Sequence, residues 1–259
     1  MTTVADILNF IEGIAPPYMK MDWDNCGLLC GRRNKEVRKI LVALDPFRNV
    51  VQEAIDQGAD LIITHHPLIF RNPLMAVSDN NETGRLVLEL MEHGIAAINA
   101  HTNLDLAPGG VNDVLAQTLG LQEIKIINPI DNYGLLRCGT VAEQPLSAFL
   151  SCVKTNLRCD GLRYVDAGKA VRKVAVGGGS CADEMLDALE AGCDTFVTAD
   201  VKYNQFRTAF ELGLNLIDAG HFHTENPTMP VLAEKLATQF PNITVEISKN
   251  HGDCMKFFV

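Results

Sequence analysis

The chain carries the same strand–helix–strand pattern twice, 134 residues apart. In the first copy, Lys39-Ile40-Leu41-Val42-Ala43-Leu44 reads as an apolar strand. A helix over 50–57, the turn Gly58-Ala59-Asp60 and a second strand, Leu61-Ile62-Ile63-Thr64, follow it. In the second copy, Lys173-Val174-Ala175-Val176-Gly177-Gly178 leads to a helix over 182–190, then Gly192-Cys193-Asp194 and Thr195-Phe196-Val197-Thr198. Ala54, Gly58, Asp60 and Thr64 fall on Ala188, Gly192, Asp194 and Thr198 without a gap. Continuous apolar strands joined through a helix are βαβ units, which build parallel sheets buried on both faces. The repetition continues at an offset of 120 residues. A helix over 86–91 leads to a strand and then His101-xxx-Asp105; a helix over 205–212 leads to a strand and then His221-xxx-Glu225. The first copy holds an extra polar stretch, 71–83, with Asn72, Asp79, Asn80 and Asn81, which is expected to be a mobile loop. The pattern therefore predicts an α/β fold of two related lobes, 1–130 and 131–259, with the chain ends free to cross between them.

Additions to this frame are readable. Residues 133–141 and 162–165 read as strands and 145–153 as a helix, extending the second lobe's sheet. Residues 243–247 and 255–259 are β-like. The first thirteen residues read as a capped amphipathic helix with Val4, Ile7, Leu8 and Ile11 on one face, without the basic start of a signal peptide.

Composition narrows the function classes. At 259 residues, 47% hydrophobic and 21% charged, the chain is an ordinary globule. Its net charge of −10 argues against a nucleic-acid binder, which needs clustered Lys and Arg. The densest basic stretch, Arg32, Arg33, Lys35, Arg38 and Lys39, reads as a solvated turn. No apolar run reaches bilayer-spanning length, so no membrane association and a cytoplasmic location are expected. The eight cysteines form no CxxC, and no disulfides are expected. Cys26 and Cys30 are the one close pair; as small hydrophobes they need no metal.

The chemistry gathers where apolar strands end. Leu61-Ile62-Ile63 runs into Thr64-His65-His66-Pro67, Ile95-Ala96-Ala97-Ile98 into Asn99-Ala100-His101, and Leu214-Asn215-Leu216-Ile217 into Asp218-Ala219-Gly220-His221. The carboxyl ends of strands are where α/β sheets build sites. Imidazole with carboxylate suits Zn, Fe, Mn or Ni. Adjacent histidines on an extended chain point to opposite faces, so His65 and His66 serve one cluster only if the backbone turns there, which Pro67 favours. Asp105 and Glu225 are candidate bridging or terminal carboxylates, with a turn or N-cap role the competing reading of Asp105. If His221 opens a helix, Glu225 lies one turn on along the same face. His223 would then point elsewhere, exposed or toward substrate. With His65, His66, Asp105, His221 and Glu225 as metal ligands for two divalent ions, His101 is read as a catalytic group handling a proton, although it too can ligate. No GxSxG elbow appears. Gly177-Gly178-Gly179-Ser180 reads as a tight βα turn in preference to an anion cradle. Lys202 and Tyr203 could meet a phosphate.

Several of these pieces together resemble one family. Trp23-Asp24-Asn25-x-Gly27-Leu28, Thr64-His65-His66-Pro67-Leu68-Ile69-Phe70, Ala100-His101-Thr102-Asn103-Leu104-Asp105, Asn112-Asp113 and Asp218-Ala219-Gly220-His221 with Glu225 are similar to the dinuclear-metal NIF-three-like proteins, the GTP cyclohydrolase 1 type 2 homologues. The resemblance implies the same five ligands and two α/β lobes with the metal site in the cleft between them. It also implies a homo-oligomer, a ring-shaped hexamer. The chain looks like the compact form, without an inserted middle domain, and departs from many relatives at His223, Cys26 and Cys30. The expected activity is metal-dependent hydrolysis of a nucleotide or other phosphate-bearing small molecule, with GTP ring opening and formate release as the named form. The alternative is a non-catalytic metal-binding, chaperone or regulatory protein.

Overall fold

The structure is a computed structural model that describes residues 1–70 and 74–258. In chain order its main elements are α1 (Val4–Ile14), β1 (Gly27–Cys30), β2 (Lys39–Ala43), α2 (Arg48–Asp56), β3 (Leu61–Thr64), α3 (Glu82–Glu92), β4 (Ala96–Asn99), α4 (Thr102–Leu106), α5 (Val111–Thr118), β5 (Gln122–Ile126) and β6 (Arg137–Gln144). They continue with α6 (Leu146–Leu157), β7 (Arg163–Val165), β8 (Val171–Val176), α7 (Met185–Glu190), β9 (Thr195–Thr198), α8 (Tyr203–Leu212), β10 (Asn215–Asp218), α9 (His221–Glu225), α10 (Thr228–Gln239) and β11 (Thr244–Ile247). Among the described residues no helix is long and apolar enough to cross a membrane.

The chain divides into two compact units. One comprises residues 1–107 and 229–252, the other 108–228 and 253–259. Each holds one mixed sheet. The first runs in the order β1-β4-β3-β2-β11, the second β5-β6-β8-β9-β10-β7. In the first, β11, β2, β3 and β4 are parallel and β1 is an antiparallel edge. In the second, β8, β9 and β10 are parallel, and β5, β6 and β7 pair antiparallel.

The repeat is visible in the register. Ile40 pairs with Leu61 and Val174 with Thr195, so equivalent residues meet in both sheets. The conserved offset also has a side-chain basis. Asp60 accepts the N–H groups of Arg38 (2.8 Å) and Lys39 (3.2 Å). Asp194 accepts those of Arg172 (3.0 Å) and Lys173 (2.8 Å). Each Asp thus ties the start of one strand to the turn entering the next. Gly58 and Gly192, at φ +63° and +77°, supply the left-handed residue that ends the preceding helix.

Strands buried on both faces explain the unbroken apolar runs. In the second sheet Val174, Val176, Val197 and Ile217 pack into one core cluster, beneath Phe149 and Val153 of α6. The intervening Ala175, Phe196 and Leu216 pack into another with Met185 and Ala188 of α7. Alternation by period two sends neighbours to opposite faces. In the first unit, Val50, Val51 and Ala54 of α2 and Leu86, Val87 and Leu90 of α3 cover Leu41, Ala43 and Ile62. The four apolar positions of α1 are all buried, and Thr3 and Asp6 close a capping box at its start.

Some boundaries differ from the sequence reading. The strand expected over 133–141 begins only at Arg137, because 127–136 close a hairpin through Ile127 and Leu136 and an Ile130–Tyr133 bridge. The helix expected over 145–153 runs to Leu157. Residues 244–247 form β11, but 255–258 pair with no strand. Of the extra polar stretch 71–83, residues 71–73 lie outside the described residues, and Asn81 is the N-cap of α3.

Candidate metal centre

In the first unit, β3 ends at Thr64 and the chain turns at once. The Thr64 hydroxyl donates to the His66 carbonyl (2.7 Å), and the His66 N–H donates to the Leu44 carbonyl (2.9 Å). That turn removes the strand alternation, so both imidazoles come together. His65 is fully buried, and its Nδ1 lies 2.8 Å from the Ala100 carbonyl at the end of β4. His66 Nδ1 lies 2.6 Å from Asp45 Oδ1, on the turn after β2. His101, the N-cap residue of α4, has Nδ1 2.7 Å from Asp24 Oδ1. A carbonyl can only accept, and an ionised carboxylate can only accept. Each Nδ1 therefore carries a proton, and in the neutral tautomer that this selects, Nε2 is the atom with the lone pair.

The three rings lie 5.0, 5.1 and 5.6 Å apart, centre to centre. One ring nitrogen from each falls within 4.8 Å of the others, so the trio can hold a metal ion. Asp105, on α4 one turn after His101, places Oδ1 3.5 Å from His65 Nε2 and is itself buried. The N-cap of that helix is His101, which disposes of the capping role for Asp105.

Asp24 is the hub of this side. It also accepts the N–H (3.0 Å) and hydroxyl of Thr102 and lies 3.1 Å from Cys26 Sγ. Burial alone would raise its pKa, but the hydrogen bonds from His101 and Thr102 win and hold the carboxyl well below its ordinary range. Burial, together with the hydrogen bond to Asp24 and its charge, pushes the Cys26 thiol up to about 12, so in the metal-free site it is a protonated donor. All eight cysteines are free thiols.

In the second unit, His221 opens α9 and Glu225 follows one turn later, as the spacing predicted. His221 Nε2 lies 3.1 Å from Glu225 Oε1, and its Nδ1 lies 2.7 Å from Asp200 Oδ2. Burial disfavours a charged His221. Hydrogen bonds and charge from Asp200 and Glu225 outweigh it and raise its pKa to about 11. The same contact, with His221 as its largest cause, lowers Asp200. Without metal this imidazole is a cation clamped between two carboxylates. A site that holds a cation this firmly suits a metal ion in place of the proton.

The glycine turn after β8 is what lets the pair sit so close. Gly179 has φ +62°, and a Cβ there would fall 2.3 Å from Glu225 Oε1 and 3.1 Å from His221 Nε2. Its N–H groups are already used: Gly178 donates to Asn112 Oδ1 (2.7 Å) and Gly179 to Thr224 Oγ1 (3.0 Å). The turn is therefore structural and offers no anion cradle. His223 is not exposed as expected. It lies 3.2 Å from the Leu157 carbonyl and 3.4 Å from Asp253, with its side chain 13% exposed. Lys202 is the N-cap residue of α8, and Tyr203 is 82% exposed.

Sequence reasoning missed the carboxylates behind the histidines. Asp45 and Asp200 sit in turns where an aspartate is unremarkable. The one available signal was the repeat, which sets Asp200 opposite His66. Asp24 lay inside a quoted motif but had no role until its contact with His101 was seen.

Known proteins match the chain from end to end. It is 36% identical to a GTP cyclohydrolase 1 type 2 homolog of Clostridium perfringens, over 97% of this chain and 98% of that protein. It is 35% identical to one of Nostoc sp., over 99% of both. Among solved structures, a hypothetical protein of Staphylococcus aureus superposes with a TM-score of 0.91 at 30% identity, covering 99% of each chain. Reduced HcgD from Methanocaldococcus jannaschii superposes with a TM-score of 0.83 at 30% identity, covering 96% and 98%. Residues 2–253 match the family model Duf34/NIF3 (NGG1p interacting factor 3), and with relatives this similar along its whole length the chain belongs to that family.

Proposed function

We propose that the chain is a metal-dependent hydrolase of a nucleotide or related phosphate-bearing small molecule, with opening of the GTP ring and release of formate as its named form. The proposed ligands of two divalent ions, Zn, Fe, Mn or Ni, are His65, His66 and Asp105 from the first unit and His221 and Glu225 from the second. One observation carries the reading: His65, His66, His101 and His221 all have Nδ1 committed to an acceptor, which orients Nε2 as the donor to a cation. A purely structural histidine has no need of that shared arrangement. The curated relatives' name supplies the substrate class.

Bound divalent metal would supply an acidified water and a Lewis acid for the electrophilic centre. The protein's own part is orientation and proton traffic. Asp45, Asp24 and Asp200 fix ring angle and tautomer, and Asp105 and Glu225 bring the negative charge that balances the cations. His101, backed by the ionised Asp24, is the group proposed to take and return a proton. Because its ring also lies within ligand reach of His65 and His66, the metal content of His101→Gln separates the two roles. A cytoplasmic homohexamer belongs to the same proposal, and native mass measurement reads the assembly.

The test is a metal-reconstituted activity screen over nucleotides and phosphoesters, with Asp105→Ala as the blank, beside metal counting. The expected result is close to two equivalents of divalent metal per chain, at least one lost in His65→Ala and in His221→Ala, and turnover absent from Asp105→Ala. Turnover unchanged in Asp105→Ala would overturn the assignment of the site. Full metal with no turnover on any substrate would replace it with the non-catalytic metal-binding reading.

A further inference from the structure

Two large aromatic side chains of the first unit stand beside His101 and are not needed by its core. Trp23 is 47% exposed and Phe70 43% exposed. Their rings meet edge to face, 5.9 Å apart at 88°. Each also meets the His101 ring, Trp23 at 6.2 Å and 71°, Phe70 at 5.7 Å and 79°. Isolated exposed aromatics are common, but two perpendicular rings set against a chemically committed histidine form a corner.

The corner is built and held. Trp23 precedes Asp24, the carboxylate that orients His101, and its loop is tied down by Lys20 Nζ to the Asp24 carbonyl (2.8 Å) and Met21 N–H to Thr102 Oγ1 (3.0 Å). The Asn25 side chain donates to the Ile69 carbonyl (2.7 Å) and so braces the residue before Phe70. Asn99 donates in turn to the Asn25 carbonyl (3.0 Å). Phe70 also forms one wall of a cavity of about 420 Å³, with Ile69 and Met75 as apolar wall and Asn81 and Thr83 as polar edge. That volume is in the range of small-molecule pockets. The Asn81 Oδ1 is used in capping α3, which leaves its amide N–H₂ as a donor toward a ring carbonyl or ring nitrogen.

We propose that Trp23 and Phe70 form the subsite that receives a planar heteroaromatic ring, a nucleobase, and sets it beside His101. This rests on the hydrolase reading for its biological use, but not for its test. The chain has one tryptophan, Trp23, so intrinsic fluorescence reports on this corner alone.

The experiment titrates the full-length protein, without added metal, with guanosine, adenosine and ribose 5-phosphate, following Trp23 emission. Saturable quenching by both nucleosides and none by ribose 5-phosphate is expected. Phe70→Ala is expected to weaken nucleoside binding roughly tenfold or more, since stacking on an aromatic side chain is worth that much. Phe70→Tyr, which keeps the ring, should restore it. Equal affinity in Phe70→Ala and the unmutated protein, no quenching, or quenching by ribose 5-phosphate alone would each overturn the proposal. The two readings fail separately. Metal-dependent turnover of glycerol phosphate with no nucleoside quenching sinks the ring subsite and leaves the hydrolase. Nucleoside quenching without turnover of any compound supports the subsite and removes the hydrolase.

Discussion

Replacing Gly179 by alanine should disturb the proposed ligands His221 and Glu225 of the second unit in a way that can be separated from ordinary loss of stability. The residue sits at φ +62°, where a Cβ costs on the order of 1–2 kcal/mol. The new carbon would lie 2.3 Å from Glu225 Oε1 and 3.1 Å from His221 Nε2, well inside normal contact. The backbone cannot slide away. Its N–H is bonded to Thr224 Oγ1, and its carbonyl accepts from Thr198 Oγ1 (3.0 Å), Ala199 N–H (2.9 Å) and Cys181 N–H (3.1 Å). The Glu225 carboxylate must therefore swing out by about 1 Å, which opens the 3.1 Å contact with His221. Misplacing a group of this kind costs metal affinity about 10–100-fold. Gly192→Ala is the control. It has the same left-handed backbone, φ +77°, but its Cβ would meet only Lys173 Nζ at 3.8 Å. Urea unfolding in the presence of chelator should show both variants weakened by ~1–2 kcal/mol. Competition with a chromophoric chelator should show only Gly179→Ala losing metal affinity. If the two variants bind metal alike, the close approach of the glycine turn to Glu225 has no bearing on the site and the argument is refuted.

Asp45→Ala should leave the fold intact and cut metal affinity about 10–100-fold, because it releases His66 Nδ1 while touching no proposed ligand oxygen; chelator competition reads this, and unchanged affinity would show that Asp45 orients nothing. Asp113→Ala should cost about 3–5 kcal/mol, since it strands the fully buried Arg137 guanidinium, now held by two 2.9 Å contacts to that carboxylate; urea unfolding reads it, and a loss far smaller would mean that water reaches Arg137. The pH dependence of the metal-free protein has a fixed sign. His221 is raised from 6.5 to about 11, so its contribution to stability is fully present below about 6.5 and fades as pH climbs through 11. His221→Gln should flatten that part of the unfolding profile. Metal must displace the same proton, so apparent metal affinity should strengthen with rising pH over that window, and a flat dependence would contradict the assigned charge state.

Much of the fold was legible because it rests on local rules. Apolar runs without alternation identified strands buried on both faces, and the 134-residue offset reappeared in the Ile40–Leu61 and Val174–Thr195 register and in the paired roles of Asp60 and Asp194. The α1 face and the helix that sets Glu225 one turn from His221 followed from helical periodicity. Boundaries were less legible. The 127–136 hairpin shortened a strand whose composition favoured continuation, because backbone pairing outweighed propensity.

The sequence by itself determined which residue types could hold a metal and which elements would carry them, because strand ends and the helix repeat are properties of neighbours along the chain. Only the tertiary structure decided how those residues are poised. That Asp45, Asp24, Asp200 and the Ala100 carbonyl stand behind four histidines depends on contacts between segments between 21 and 77 positions apart, and no local pattern records them. The same is true of His223, whose place beside Leu157 and Asp253 is set by packing across 66 and 30 positions. A side chain's type is written in the sequence. Its protonation and orientation are set by whatever the fold brings against it.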